Sequence, residues 1–153
     1  MAIDKRTGED APKIGFIKAY HKELRQRIDA VLSADKKTRQ KEMPALGGEF
    51  LNAIQRGNPA TLEIFLDEGM NVNYQDPQTG QTALHVAANA QARAVIRILL
   101  ATGKCDYLIR DKRGRLPSEL AYTVGENPAI ARLLGNKERK QAEKQGIKVT
   151  RRP

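Results

Sequence analysis

The sequence predicts an all-α solenoid: stacked helix-turn-helix units joined by hairpin loops, with an N-terminal capping helix and a basic C-terminal helical tail. Three observations predict it. Shifting the middle of the chain by 34 residues lays it on itself, with Gly69 on Gly103, Gly80 on Gly114, Ala53 on Ala87 and Ala121, and Leu62 on Ile96 and Ile130. Within each copy the apolar residues recur at helical spacing. The helices are also sharply bounded. Asn-Pro-Ala opens one at 58 and its counterpart at 127, and Gly69 and Gly103 stand just past helix ends, where a left-handed backbone is cheap only for glycine. A unit this short cannot bury its own apolar face and must stack on its neighbours.

Taken in order, residues 14–32 place Ile17, Tyr20, Leu24, Ile28, Val31 and Leu32 at spacings of three and four, with Lys18, Lys22, Arg25 and Arg27 off that stripe. This is an amphipathic helix suited to cover the open end of the first unit. Six such side chains contribute ~1.5–3 kcal/mol each when buried. The run ADKKTRQKEMPALGG (34–48) reads as a second, polar helix followed by a joint at Pro44 and Gly47-Gly48.

The first unit follows, with Phe50, Ala53 and Ile54 on one helix face and Leu62, Phe65 and Leu66 on the next. Asn58 can cap that second helix, and Pro59 suits its first turn. In the second and third units the pairs Leu99-Leu100 and Leu133-Leu134 fall in register with Phe65-Leu66. The last stretch, NKERKQAEKQGIKVTRRP, has good helix formers to Gln145 and a terminus that should dangle after Gly146. The chain thus divides into a helical cap (1–46), three repeats (47–135) and a basic tail (136–153).

Gly80-Gln81-Thr82-Ala83-Leu84-His85-Val86-Ala87-Ala88 resembles the ankyrin signature G-x-T-P-L-H-x-A-A, with Ala83 in place of proline. Gly69-Met70-Asn71-Val72-Asn73-Tyr74-Gln75-Asp76 is similar to the G-A-D-V-N-x-x-D segment of the same family. In the third unit Gly114, Pro117 and Ala121 match, but the Thr and His are missing; the first unit keeps only the helix pattern. The resemblance covers about residues 47–135. It implies that Thr82 and His85 hydrogen-bond across the turn that starts their helix, so His85 is frame. A metal or catalytic role would need a nearby partner, and the only other histidine, His21, lies outside the repeats.

Charge is unevenly placed. Residues 1–45 carry 11 Lys/Arg against 7 Asp/Glu, residues 46–135 carry 9 against 9, and residues 136–153 carry 7 against 2. The body is neutral and the flanks are basic. The polar start, with Asp4, Glu9 and Asp10, has no apolar run of a secretory signal, and no stretch is long and apolar enough for a membrane span. A single cysteine, Cys105, fits a reducing cytoplasm. Gly103-Lys104 is not a phosphate loop, because Ile98 stands where glycine is required and Cys105 where Ser or Thr is. No catalytic, metal or cofactor constellation emerges, and the chain reads as a non-enzyme.

What the resemblance implies instead is recognition of another protein by hairpin tips and the exposed side of each first helix. Those positions are Tyr74, Gln75, Gln78, Thr79, Gln81, Asn89 and Ala90 in the second unit. In the third they are Arg110, Lys112, Arg113, Arg115, Thr123 and Val124. The sequence RDKRGR (110–115) should project four basic side chains from one fingertip, suited to an acidic protein surface because guanidinium forks favour carboxylate or phosphate. The alternative is a nucleic-acid-binding accessory protein that grips phosphates with its basic flanks.

Overall fold

The computed structural model describes residues 10–124 and 126–150. The polar start (1–9) and the last three residues of the tail lie outside these. Seven helices follow one another: α1 (Asp10–Leu32), α2 (Lys36–Gln55), α3 (Pro59–Asp67), α4 (Ala83–Ala90), α5 (Arg93–Ala101), α6 (Pro117–Val124) and α7 (Pro128–Gln145). No strand occurs among the described residues. The helices pack as pairs, α2 with α3, α4 with α5 and α6 with α7, and the first helices stack α2 on α4 on α6. One apolar spine runs through them, from Leu24 and Ile28 through Phe50, Phe65, Leu84 and Leu99 to Leu120 and Leu134. Phe50 and Phe65 meet with ring centroids 5.3 Å apart, tilted by 53°, a favourable aromatic geometry.

The Asn-Pro starts work as the sequence suggests. Asn58 accepts from the Thr61 N–H at 3.2 Å and Asn127 from the Ala129 N–H at 3.1 Å, each ahead of a proline in the first turn. Gly69 and Gly103 take φ of +95° and +68° past the ends of α3 and α5.

On α1, Leu24 and Ile28 are fully buried against α2 and α3, and Val31 and Leu32 are half-buried. Ile17 and Tyr20, on the same stripe, remain 51% and 47% exposed. Off the stripe, Arg25 pairs with Glu68 (3.2 Å) and Asp67 (3.7 Å) beside α3, and Arg27 pairs with Glu49 on α2.

Three features differ from the sequence reading. There is no joint in α2, which continues through Pro44 and Gly47-Gly48. Its buried face, Leu46, Gly47, Phe50 and Ile54, outweighs weak local preferences, and Pro44 sits on the exposed side where water can reach the carbonyl its missing N–H leaves free. Gly47 is close-packed: its Cα lies directly under the ring of Tyr74.

Second, α7 is out of register by one residue. Its buried Ile130 and Leu134 take the places of Val95 and Leu99 in α5, an offset of 35, so Leu133 turns outward and is 38% exposed.

Third, the stretch after 135 is not a solvated tail. Glu138 and Ala142 are buried, and Glu138 accepts a hydrogen bond from the Ser118 hydroxyl. Gln141 accepts from the Tyr107 N–H and donates to Asp106, both at 2.8 Å, which fastens α7 to the loop after α5. Beyond Gly146 the chain does not dangle through residue 150: the Ile147 N–H returns to the Ala142 carbonyl (2.8 Å), and Arg110 Nη2 donates to the Thr150 carbonyl (2.6 Å).

Candidate functional site

Two hairpin loops stand beside the stack, each built round an aspartate. In the second unit the Asp76 N–H donates to Gln81 O at 2.9 Å, and its carboxylate accepts from the Gln78 and Thr79 N–H groups (3.1 and 2.8 Å) and the Thr79 hydroxyl (3.0 Å). In the third, Asp111 does the same work. Its N–H donates to Arg115 O at 3.0 Å, and its carboxylate accepts from the N–H groups of Arg113 (3.0 Å) and Arg115 (2.9 Å) and from Arg115 Nε (2.9 Å). Burial alone would raise the Asp111 pKa, but the backbone N–H and guanidinium of Arg115 hold it below the ordinary carboxylate value. The two hairpins are joined by the bond from Lys112 N–H to Thr79 O at 2.9 Å and by the Gln81 side chain on the Asp111 carboxylate.

His85 locks the hairpins to the helices. Its Nε2 lies 2.8 Å from the Arg115 carbonyl, which can only accept, so Nε2 carries the proton. Nδ1 therefore accepts, from the Thr82 N–H at 3.1 Å and the Thr82 hydroxyl at 2.9 Å. The ring is wholly buried. Burial pushes its pKa below the usual histidine value, and the Arg115 carbonyl offsets this only in part. In the third unit Glu119 takes over the missing histidine's local role: its carboxylate accepts the Leu116 N–H at 2.8 Å.

The residues named from the sequence divide into two groups. Gln78, Thr79, Asn89, Ala90, Lys112, Arg113 and Thr123 are exposed. Gln75 is exposed too but spends its amide on the chain, and the others turn inward. Tyr74 lies over Gly47 with its hydroxyl buried and unpartnered. Gln75 Nε2 donates to Gly80 O at 2.9 Å, Gln81 hydrogen-bonds the Asp111 carboxylate, and Val124 is half-buried. Arg110 is held by the carbonyls of Gly114 (2.8 Å) and Thr150, with Glu119 at 3.5 Å; Arg115 is held by Asp111. The fingertip therefore projects two basic side chains, Lys112 and Arg113, rather than four. Sequence reasoning missed Tyr122, 80% exposed beside Thr123. The repeat gave no sign of it, because Ala88, its counterpart in the second unit, is buried.

Among the described residues no group of three or more His, Cys, Asp and Glu side chains could hold a metal ion, and no helix is long and apolar enough to cross a membrane.

A family model described as ankyrin repeats, in three copies, matches residues 50–145. The chain is similar to Rabankyrin-5 of Mus musculus, 33% identical over 82 residues that cover 54% of this chain and 7% of that protein. It is 36% identical over 84 residues to Oxysterol-binding protein homolog 1 of Saccharomyces cerevisiae, covering 52% and 7%. To 2-5A-dependent ribonuclease of Homo sapiens it is 32% identical over 76 residues, covering 50% and 10%. The chain spans a tenth or less of the length of these relatives.

Proposed function

Because the chain belongs to the ankyrin-repeat family, whose repeats are protein–protein interaction modules, we propose that it binds an acidic protein surface through the joined tips of its second and third hairpins. The observation that carries this reading is the pair Lys112 and Arg113, exposed on a tip whose backbone is fixed by Asp111 and by the bond to Thr79. A fixed backbone loses little freedom on binding, which favours affinity. Gln78 and Thr79 flank them from the neighbouring tip, and Asn89, Tyr122 and Thr123 extend the surface along the first helices.

Arg110 and Arg115 enter this proposal as supports that hold the hairpin. A cytoplasmic location is supported by the lone Cys105, a free and half-buried thiol. The test is affinity capture with the whole chain and with Lys112→Glu/Arg113→Glu, both checked for folding by circular dichroism. Charge reversal should release the retained partner. An unchanged retained set from a folded variant would refute the placement.

A further inference from the structure

We infer that the outer side of α7 is a second docking surface, distinct from the hairpin tips, for an acidic peptide segment of a protein partner. An open groove of about 470 Å³ lies there, between Arg132 and Arg139 on the helix and Ile147 and Val149 on the returning chain. The groove is built rather than accidental. Its far wall is tied at both ends, by the Ile147 N–H on the Ala142 carbonyl and by Arg110 on the Thr150 carbonyl.

Charge sets the occupant. Of the charged groups lining the groove, Arg132 and Arg139 are exposed against one exposed carboxylate, Glu143, and Lys140 and Lys144 are exposed on the same helix outside it. Glu138, which also borders the groove, is 2% exposed and accepts from Ser118. Arg139 rests one Nη on Asn136 Oδ1 at 2.6 Å, which steadies the guanidinium and leaves its other N–H groups to a ligand. Arg132 and Arg139 are seven residues apart, about 10 Å along the helix axis. Two carboxylates three residues apart on an extended, polyproline-type segment are separated by about 9 Å on one side. An apolar side chain between them would meet Ile147 and Val149. Guanidinium forks grip carboxylates in pairs of parallel bonds, and the groove offers no aromatic ring on which a nucleic-acid base would stack.

The test uses the full chain and fluorescence anisotropy at two salt concentrations. Three probes are compared: an eight-residue peptide with two glutamates three residues apart around a leucine, the same peptide with glutamines, and a single-stranded DNA dodecamer. The glutamate peptide should bind, and Arg132→Gln/Arg139→Gln should weaken it at least tenfold. Ile147→Ser should weaken it severalfold with circular dichroism unchanged. No binding of the glutamate peptide at 100 µM, equal binding of the glutamine peptide, or DNA binding more tightly than peptide would each overturn the inference. So would binding that survives Arg132→Gln/Arg139→Gln and is lost in Lys112→Gln/Arg113→Gln, since that assigns the peptide to the tips.

Discussion

Replacing Gly47 and Gly48 one at a time by alanine separates two forces that act on adjacent residues of α2. Gly48 is exposed, and a methyl there would meet nothing within 4 Å. The substitution should stabilise by about 0.5–1 kcal/mol, the ordinary helix-interior advantage of alanine over glycine. At Gly47 the same methyl would fall inside contact distance of the Tyr74 ring carbons and 2.5 Å from the hydroxyl oxygen. Non-bonded heavy atoms settle near ~3.5–4 Å, so the ring must retreat by about 1.5–2 Å, taking a buried hydroxyl with it. Overpacking of this kind costs about 1–3 kcal/mol, which outweighs the helix gain.

Gly48→Ala should therefore rise above the wild type and Gly47→Ala fall below it, a gap of about 1–3 kcal/mol that equals the overpacking cost. Urea unfolding followed by circular dichroism at 222 nm reads the gap directly. Adding Tyr74→Ala should erase it, because the clash partner is gone. Two alanine variants of equal stability in the wild-type background would show that Tyr74 does not rest on Gly47.

Three further outcomes follow from buried groups. Since burial depresses the His85 pKa in the folded chain, the unfolded chain binds its proton first. Stability from this residue is then complete above the ordinary histidine value of about 6.5 and declines as pH falls below it towards the depressed folded value, by at most ~1.4 kcal/mol per pH unit. Chemical denaturation at a series of pH values should show that slope in the wild type and lack it in His85→Gln; identical slopes would contradict the assignment. Burial pushes the Cys105 thiol up to about 11, so at pH 8 a thiol reagent should modify the native chain far more slowly than the urea-unfolded chain, and equal rates would show an open thiol. Gln91 holds a left-handed φ of 56° without being glycine, and its buried Oε1 has no partner. Gln91→Gly should raise the free energy of unfolding by about 0.5–1 kcal/mol despite losing the bond from Nε2 to the Ala88 carbonyl; a lower stability would mean that bond dominates.

The repeat was legible because its signals are local and redundant. Asn58, Gly69, Leu62 and Phe65 report helix ends and a buried face without reference to the rest of the chain, and the copies repeat them. His85 was legible as frame, but its bond to the Arg115 carbonyl was not, since that joins residues 30 apart. The reading of Pro44 and Gly47-Gly48 as a joint followed local preference, and the ring that needs Gly47 to be small sits on a different loop. The second half of α7 was hidden for another reason. It is held by Glu138, Gln141 and Ala142, side chains with no large apolar surface, and their partners Ser118, Asp106 and Tyr107 are distant in sequence. The same blindness affected the fingertip. Four basic residues in a row of six look alike on paper, and only the fold decides that Arg110 and Arg115 spend their donors on the chain itself.

Arg110 holds the Gly114 carbonyl with one nitrogen and the Thr150 carbonyl with another. The loop that bears Lys112 and Arg113 and the returning chain that walls the α7 groove are thereby joined through one rigid, planar group. Loss of the Arg110 guanidinium would therefore loosen both at once.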